Sequence, residues 1–453
     1  MTAPAAVLVR EAPSPAAPAA APAPARARRW RRPDPMAVTA SALMVNTAVT
    51  SGLGMVFWAL ASRAYPARVL GEAAALIAAM MLLSVISQLN LSMGIARLLP
   101  QVTDRRWRPV LGAYGVTAAV ALVVSGAFVI AAPRLFGGFA FLGHRPAMAC
   151  ALVVAVVLWN VFALQDAVLT ASRWAVVVPI ENGVFGLLKI GLMVWLAGHL
   201  AEQGIFVAWL GAMAVMLLPV NGFIFGRVLR SRRSPRAQPS VSALPIADRR
   251  RVTRYLALDY VAALLNQGYT SMLPLLVVAV LGRDANAYFY IAFLVAGAVR
   301  AVAEAMSTSL VVEGAHDESE LASLARRSVT RYVKYAVPGV LLLAAGAGLL
   351  LAPFGAAYVD HGVAVLRLLL VATLPQAVVS LYIAVERVRA NVGRVLAAEA
   401  AVVILVTAGA VAGMQAVGLV GLGWAWLVAQ SVVAAAVTPG LWRACRPRAV
   451  AAV

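Results

Sequence analysis

Acidic residues are scarce in this chain: 18 Asp and Glu stand against 38 Lys and Arg in 453 residues. Several of the few carboxylates, such as Glu202, Asp284 and Asp360, stand alone in short gaps between apolar runs. The paired acids that a membrane glycosyltransferase or polymerase uses for proton transfer are therefore missing, and an enzyme is the lesser reading. Cysteine is nearly absent. Cys150 falls inside an apolar run and Cys445 close to the carboxy terminus, a placement that suggests neither a disulfide nor a metal site. No GxxxxGK[ST] loop occurs, which excludes ATP hydrolysis by that route, and no cofactor is implied.

Apolar sequence fills the space instead. The hydrophobic fraction is 62% and the mean hydropathy +0.87, too apolar for an ordinary globular protein. Roughly twelve apolar stretches reach membrane-spanning length: 38–62, 70–91, 110–132, 147–169, 176–200, 205–229, 255–281, 286–311, 332–353, 363–385, 395–414 and 417–442. A helix needs about 20 residues to cross a hydrocarbon core of about 30 Å. These runs are too long, and too apolar on most faces, for the alternating strands of a membrane barrel, so the expected fold is an all-α polytopic membrane protein.

The formal charge of +20 lies mostly in alternate gaps. Arg10, Arg26, Arg28, Arg29, Arg31 and Arg32 precede the first span, and the gaps after even-numbered spans hold most of the remaining Arg. The positive-inside rule then puts both termini in the cytoplasm and the protein in the cytoplasmic membrane. Charge spread over loops in this way orients the chain and meets anionic lipid rather than nucleic acid. Residues 1–35, rich in Ala and Pro, read as a disordered cytoplasmic leader; 36–229 as one six-helix bundle; 230–254 as a cytoplasmic linker; 255–442 as a second bundle; and 443–453 as a cytoplasmic tail.

The two bundles repeat each other. At an offset of 220, Asn46, Thr50, Ser51 and Arg63 align with Asn266, Thr270, Ser271 and Arg283, and at an offset of 217, Trp209 aligns with Trp426. Even offsets between spans mean parallel repeats about an axis along the membrane normal, with a central cavity between them.

Polar groups inside spans are the candidate site, because an ionised side chain there costs about 2.5–3.5 kcal/mol and needs a partner or water. Arg300 begins a polar stripe in the eighth span that continues at Glu304, Ser307 and Thr308, and Lys189 lies midway along the fifth, two turns from Glu181. Asn46 with Thr50, Ser84 with Gln88, and Asn266 with Thr270 form i, i+4 pairs in spans one, two and seven. Arg300 and Lys189 are read as cations for an anionic head group, and Asn46, Thr50, Gln88, Asn266 and Thr270 as hydrogen-bonding groups around it. Glu304, Asp259, Asp166 and Glu386 are the acids available for coupling or gating, with Asp166 and Glu386 related by the offset of 220. Each of these groups has a plainer reading as an internal ion pair or helix-to-helix hydrogen bond.

The segment from Phe57 to Leu76, with Leu82-Leu83-Ser84-Val85-Ile86-Ser87-Gln88-Leu89 and Ala96-Arg97-Leu98-Leu99-Pro100, resembles the opening of the polysaccharide-biosynthesis flippases of the multidrug/oligosaccharidyl-lipid/polysaccharide exporter superfamily. One departure is Asn90, where those relatives carry Gly. The resemblance implies two six-helix bundles around a cavity formed by spans one, two, seven and eight, and alternating access. It also implies a polyprenyl-pyrophosphate-linked oligosaccharide or related lipid-linked glycan as substrate, with polysaccharide-assembly proteins as partners. The alternatives are a proton- or sodium-coupled multidrug exporter of the same superfamily, and a membrane polymerase or glycosyltransferase.

Overall fold

The structure is a computed structural model that describes residues 35–102, 104–230, 246–316 and 321–445. The expected leader, most of the expected linker and the end of the tail lie outside the described residues. The last part of the linker stretch does not: it is already helix from Ile246.

Among the described residues every regular element is a helix. The first half holds α1 (Pro35–Ala64), α2 (Ala67–Ser87), α3 (Leu91–Leu98), α4 (Trp107–Leu135), α5 (Ala140–His144), α6 (Pro146–Ala171), α7 (Val177–Ala197) and α8 (Gly204–Phe223). The second holds α9 (Ile246–Leu281), α10 (Arg283–His316), α11 (Leu321–Arg331), α12 (Val337–Ala345), α13 (Ala347–Leu351), α14 (Ala356–Val388), α15 (Val392–Val417) and α16 (Leu419–Cys445). Among the described residues eleven helices are long and apolar enough to cross a membrane, and the segment from α11 to α13 makes twelve if it counts as one span. That ninth span differs from the straight helix expected from its composition. It bends by 71° at Gly346, where the helix closes on the Leu342 carbonyl and a second short helix begins.

The repeat is visible in the elements themselves. A short amphipathic helix follows the second span of each half, α3 in one and α11 in the other. A broken segment precedes the fourth span of each half, at α5 in one and α13 in the other. The turn after α2 explains the departure at Asn90, which adopts left-handed geometry (φ 57°, ψ 21°). Asn is the residue that most readily replaces Gly in that conformation.

Two faces follow from the loops. One carries the joints at Arg63, Glu72, Arg145, Glu202 and Arg283 and is poor in Arg for its length; there Arg145 and Arg283 both pair with Glu72. The other is rich in Arg. Its Arg106 is buried against Ser172 and the Val228 carbonyl, tying the start of α4 to the ends of the sixth and fourth spans.

Close approach of α15 to α16 depends on glycine. Gly413 and Gly421 face each other so tightly that a Cβ on either would overlap the other's backbone, the small-residue contact by which membrane helices gain packing energy. We expect Gly421→Val to destabilise the second half toward the upper end of the roughly 1–3 kcal/mol that overpacking costs. Thermal unfolding in detergent checks this, and an unchanged midpoint would mean that the two helices can part freely.

Candidate functional site

Two adjoining cavities are present, one where the halves face each other and one inside the second half. The first, about 310 Å³, is lined from the first half by Thr50, Ser51, Met55 and Met81, and from the second by Gln267, Thr270, Ser271, Tyr290, Phe293 and Arg300. The second, about 350 Å³, lies within the second half and is lined by Asn266, Gln267, Glu304, Thr308, Gln376, Arg387, Glu399 and Gln430. Gln267 belongs to both walls, so the two spaces meet at its side chain.

Toward the Arg-poor face the halves are pressed together: Asn286, Ala287 and Phe289 of α10 are buried, and Trp58 of α1 packs on Tyr290 with ring centroids 4.7 Å apart. Farther along α10, Val302, Glu304, Ala305 and Thr308 are exposed. Of these, Glu304 and Thr308 open onto the second cavity.

Arg300 does reach the shared cavity, but not as a free cation. Its Nε donates to Glu304 Oε1 at 3.2 Å and its guanidinium lies 5.1 Å from the Phe293 ring. The charge is answered one turn away on the same helix, and Glu304 is the more exposed partner at 55% against 19%.

Lys189 corrects the sequence reading more sharply. It is buried, 5% exposed, among Phe57, Phe185 and Trp209, with its ammonium 3.8 Å from the Trp209 ring centroid, and it lines neither cavity. Apolar rings from α1, α7 and α8 close around it because Lys189 faces the interior of the first half. The electropositive hollow expected between the halves thus lacks one of its two cations, and the other is paired.

The remaining expected residues divide. Thr50 and Thr270 line the shared cavity, where each hydroxyl donates to its own helix: Thr50 to the Asn46 carbonyl at 2.8 Å and Thr270 to the Gln267 carbonyl at 2.9 Å. Asn266 lines the second cavity and donates to Glu399 Oε2 at 2.9 Å. Gln88 lines neither; it donates to Ser84 Oγ at 3.4 Å, and Ser84 in turn bonds Asn160, so this polar pair joins α2 to α6 inside the first half. Asn46 also lies outside both walls, with Oδ1 buried and without a partner. Glu386 is buried at the α14–α15 turn and holds Asn391 Nδ2 at 2.7 Å and Arg394 at 3.4 Å, so it ties that turn together away from the cavities. The side chain of Asp259 lies outside the described residues.

Asp166 belongs to a cluster that the sequence reading did not assemble. Its Oδ2 accepts from Asn182 Nδ2 at 3.3 Å, while Oδ1 is buried without a partner. Glu181, 3% exposed, has both carboxylate oxygens buried without a partner and lies close enough to Asp166 to interact electrostatically. Among the described residues no Lys or Arg pairs with either acid. On α4, the Tyr114 hydroxyl donates to Asn221 Oδ1 at 3.2 Å. The repeat held the missing clue. Glu399 follows Glu181 by 218 residues, between the two offsets already found, so each half carries a buried Glu at one equivalent place.

No protein-family profile matches the sequence, and no curated protein matches it. Solved structures do match in three dimensions. An inward-facing multidrug resistance MATE family transporter of the MOP superfamily superposes with a TM-score of 0.63 at 15% identity, over 90% of this chain and 99% of that one. The fold is that of the MATE transporters. The MATE multidrug transporter DinF-BH, solved in complex with rhodamine 6G, gives 0.65 at 15% identity, over 91% of this chain and 96% of that one. An outward-facing MATE transporter gives 0.55 at 14% identity, over 92% and 96%. Several of these neighbours are described as multidrug transporters, and at 14–15% identity the likeness is one of fold.

Proposed function

We propose that this chain is a cation-coupled exporter of amphipathic organic compounds, working by alternating access from the cytoplasmic membrane with its Arg-rich face and both termini in the cytoplasm. The observation that carries this reading is the lining of the shared cavity. Met55, Met81, Tyr290 and Phe293 offer an adaptable apolar and aromatic surface, Gln267 and Ser271 offer hydrogen bonds, and the one cation already has a partner. Met and aromatic walls can re-pack around ligands of different shape, which suits many cargoes better than one. A pyrophosphate head would instead need unpaired cations.

Coupling falls to Asp166 and Glu181. A buried carboxylate with no protein partner is costly as a bare charge, so a proton or sodium ion must accompany it, and release of that ion on one side can bias the two states of the transporter. The closed Arg-poor face, where Trp58 packs on Tyr290 and Asn286 is buried, supports a form open toward the Arg-rich face. In a pump-deficient bacterial strain, expression is expected to lower rhodamine 6G accumulation and raise resistance to it. Unchanged accumulation at normal membrane levels would remove this reading.

A second reading keeps one observation in its favour. The amide-lined space around Asn266, Gln376 and Gln430 suits sugar hydroxyls, and the Phe57–Pro100 stretch resembles the glycan flippases. Accumulation of lipid-linked glycan on the inner leaflet of a deletion strain, without drug sensitivity, would move the conclusion there.

A further inference from the structure

We propose that the Arg-poor face is shut by a two-armed clasp, in which the arginine at the end of each half's first span reaches across to the other half. Arg63 ends α1 and Arg283 follows α9, and the two are related by the repeat offset of 220. Arg63 Nε donates to the Pro353 carbonyl at 2.9 Å, in the broken segment of the second half. Arg283 reaches the first half, donating to Glu72 Oε2 at 2.6 Å, and its guanidinium lies 5.4 Å from the Phe141 ring in that half's own broken segment. Each arm thus leaves the end of one half's first span for the other half, Arg63 for the broken segment and Arg283 for Glu72 of α2, with a ring contact in the broken segment beside it.

The arms are unequal. Arg63 is exposed and holds a single carbonyl. Glu72 is buried and is shared between Arg283 and Arg145, which lies 3.3 Å away and itself holds Glu202 at 2.6 Å. Beneath this ion cluster the two backbones touch. Gly71 fits against the Arg283 carbonyl, where any Cβ would overlap it, and the fully buried Asn286 donates to the Gly71 carbonyl at 2.7 Å. Gly138 meets the Val278 carbonyl in the same way on the other side of the seam.

Such a seam has two states. Halves seated in a backbone notch are either home or apart, and close-packed contacts of this kind do not stretch. Opening exposes Glu72, Arg145 and Arg283 to water at the membrane surface, so their lost pairing is largely offset by hydration and the clasp can release in each cycle. The Glu72–Arg283 arm carries most of the closing energy, the glycine notch gives it its geometry, and Arg63 adds a minor share.

The test uses the full chain with Cys150→Ala and Cys445→Ala, and Ser271→Cys as a reporter inside the shared cavity. A membrane-impermeant maleimide is applied to intact cells and, separately, to inside-out vesicles. In the parent, labelling is expected mainly from the cytoplasmic side. Glu72→Gln, Arg283→Gln and Gly71→Ala are each expected to raise labelling from outside by about tenfold and lower it from inside, the signature of a shifted two-state balance. Arg63→Gln, at an exposed side chain that folding does not need, is expected to raise it by about twofold, as for a surface contact. Outside labelling that stays at the parent level in Arg63→Gln and in every other variant reaching the membrane would overturn the clasp. So would a rise from both sides at once, which marks general loosening. The inference rests on alternating access but needs no cargo: absence of rhodamine efflux by the chain without any of these substitutions, with the labelling shift intact, would remove the proposed substrate and keep the clasp.

Discussion

Glu181→Gln is expected to abolish gradient-driven efflux while leaving cargo binding as it was. The buried carboxylate of Glu181 has no protein donor, and Asp166, an acid of the same sign, acts on it electrostatically. Two acids in low dielectric repel, so a proton or a sodium ion between them lowers the energy of the state that holds it. An amide is permanently neutral: it removes the reason for the ion to bind and with it the coupling. The cargo cavity lies elsewhere, around Met55, Tyr290 and Phe293, so binding there has no direct stake in Glu181. The expected loss in coupled efflux is about 100-fold, near the upper end of coupling between separate sites. Proteoliposomes with an imposed proton or sodium gradient give the rate, and rhodamine 6G fluorescence polarisation gives the affinity. Efflux by Glu181→Gln at the parent rate would strip the cluster of its role. Glu399, the repeat equivalent, already accepts from Asn266, and Glu399→Gln is expected to cost far less.

The contrast between these two glutamates shows what was legible in the chain. Long apolar runs mark the spans because a backbone in lipid has no partner but itself, and the matched Arg63 and Arg283 announce the repeat. Arg300 was readable for the same local reason: Glu304 sits one turn on, and an i, i+4 pair needs no knowledge of the rest of the fold. Glu181 and Lys189 were not. They share one helix with Lys189 two turns from Glu181, which suggests a linked pair, yet the structure gives Lys189 to the rings of Phe57 and Trp209 and leaves Glu181 to Asp166. Which face of an apolar helix turns inward is decided by neighbours far along the chain, and apolar sequence on all sides carries no moment to reveal it. Glu72 went unnoticed because an acid near a helix start is ordinary; the adjacent Gly71, which has to be bare for the halves to meet, was the signal. The bend at Gly346 was hidden by a run that stays apolar through the break.

Trp209→Ala is expected to destabilise the first half severely, and Lys189→Met to undo part of that damage. Trp209 is the hub of a ring cluster, with centroids 5.7 Å from Phe57, 6.1 Å from Phe185 and 6.3 Å from Trp159. It also offers its face to the Lys189 ammonium at 3.8 Å, nearer than Phe57 at 4.7 Å or Phe185 at 5.2 Å. Removing the ring leaves a cavity costing on the order of 3–5 kcal/mol. It also strips a desolvated cation of its best partner, worth about 2 kcal/mol when water is excluded. Lys189→Met keeps the length and volume of the side chain while removing the charge, so alone it should cost little, since an apolar isostere suits an apolar cage. In the double variant the second penalty vanishes, and the combined loss should fall short of the sum by about 2 kcal/mol. Thermal unfolding of the four proteins in one detergent gives the cycle. Strictly additive losses would show that the ammonium draws nothing from the Trp209 ring. Full rhodamine efflux by Lys189→Met would separately show that this cation handles no cargo.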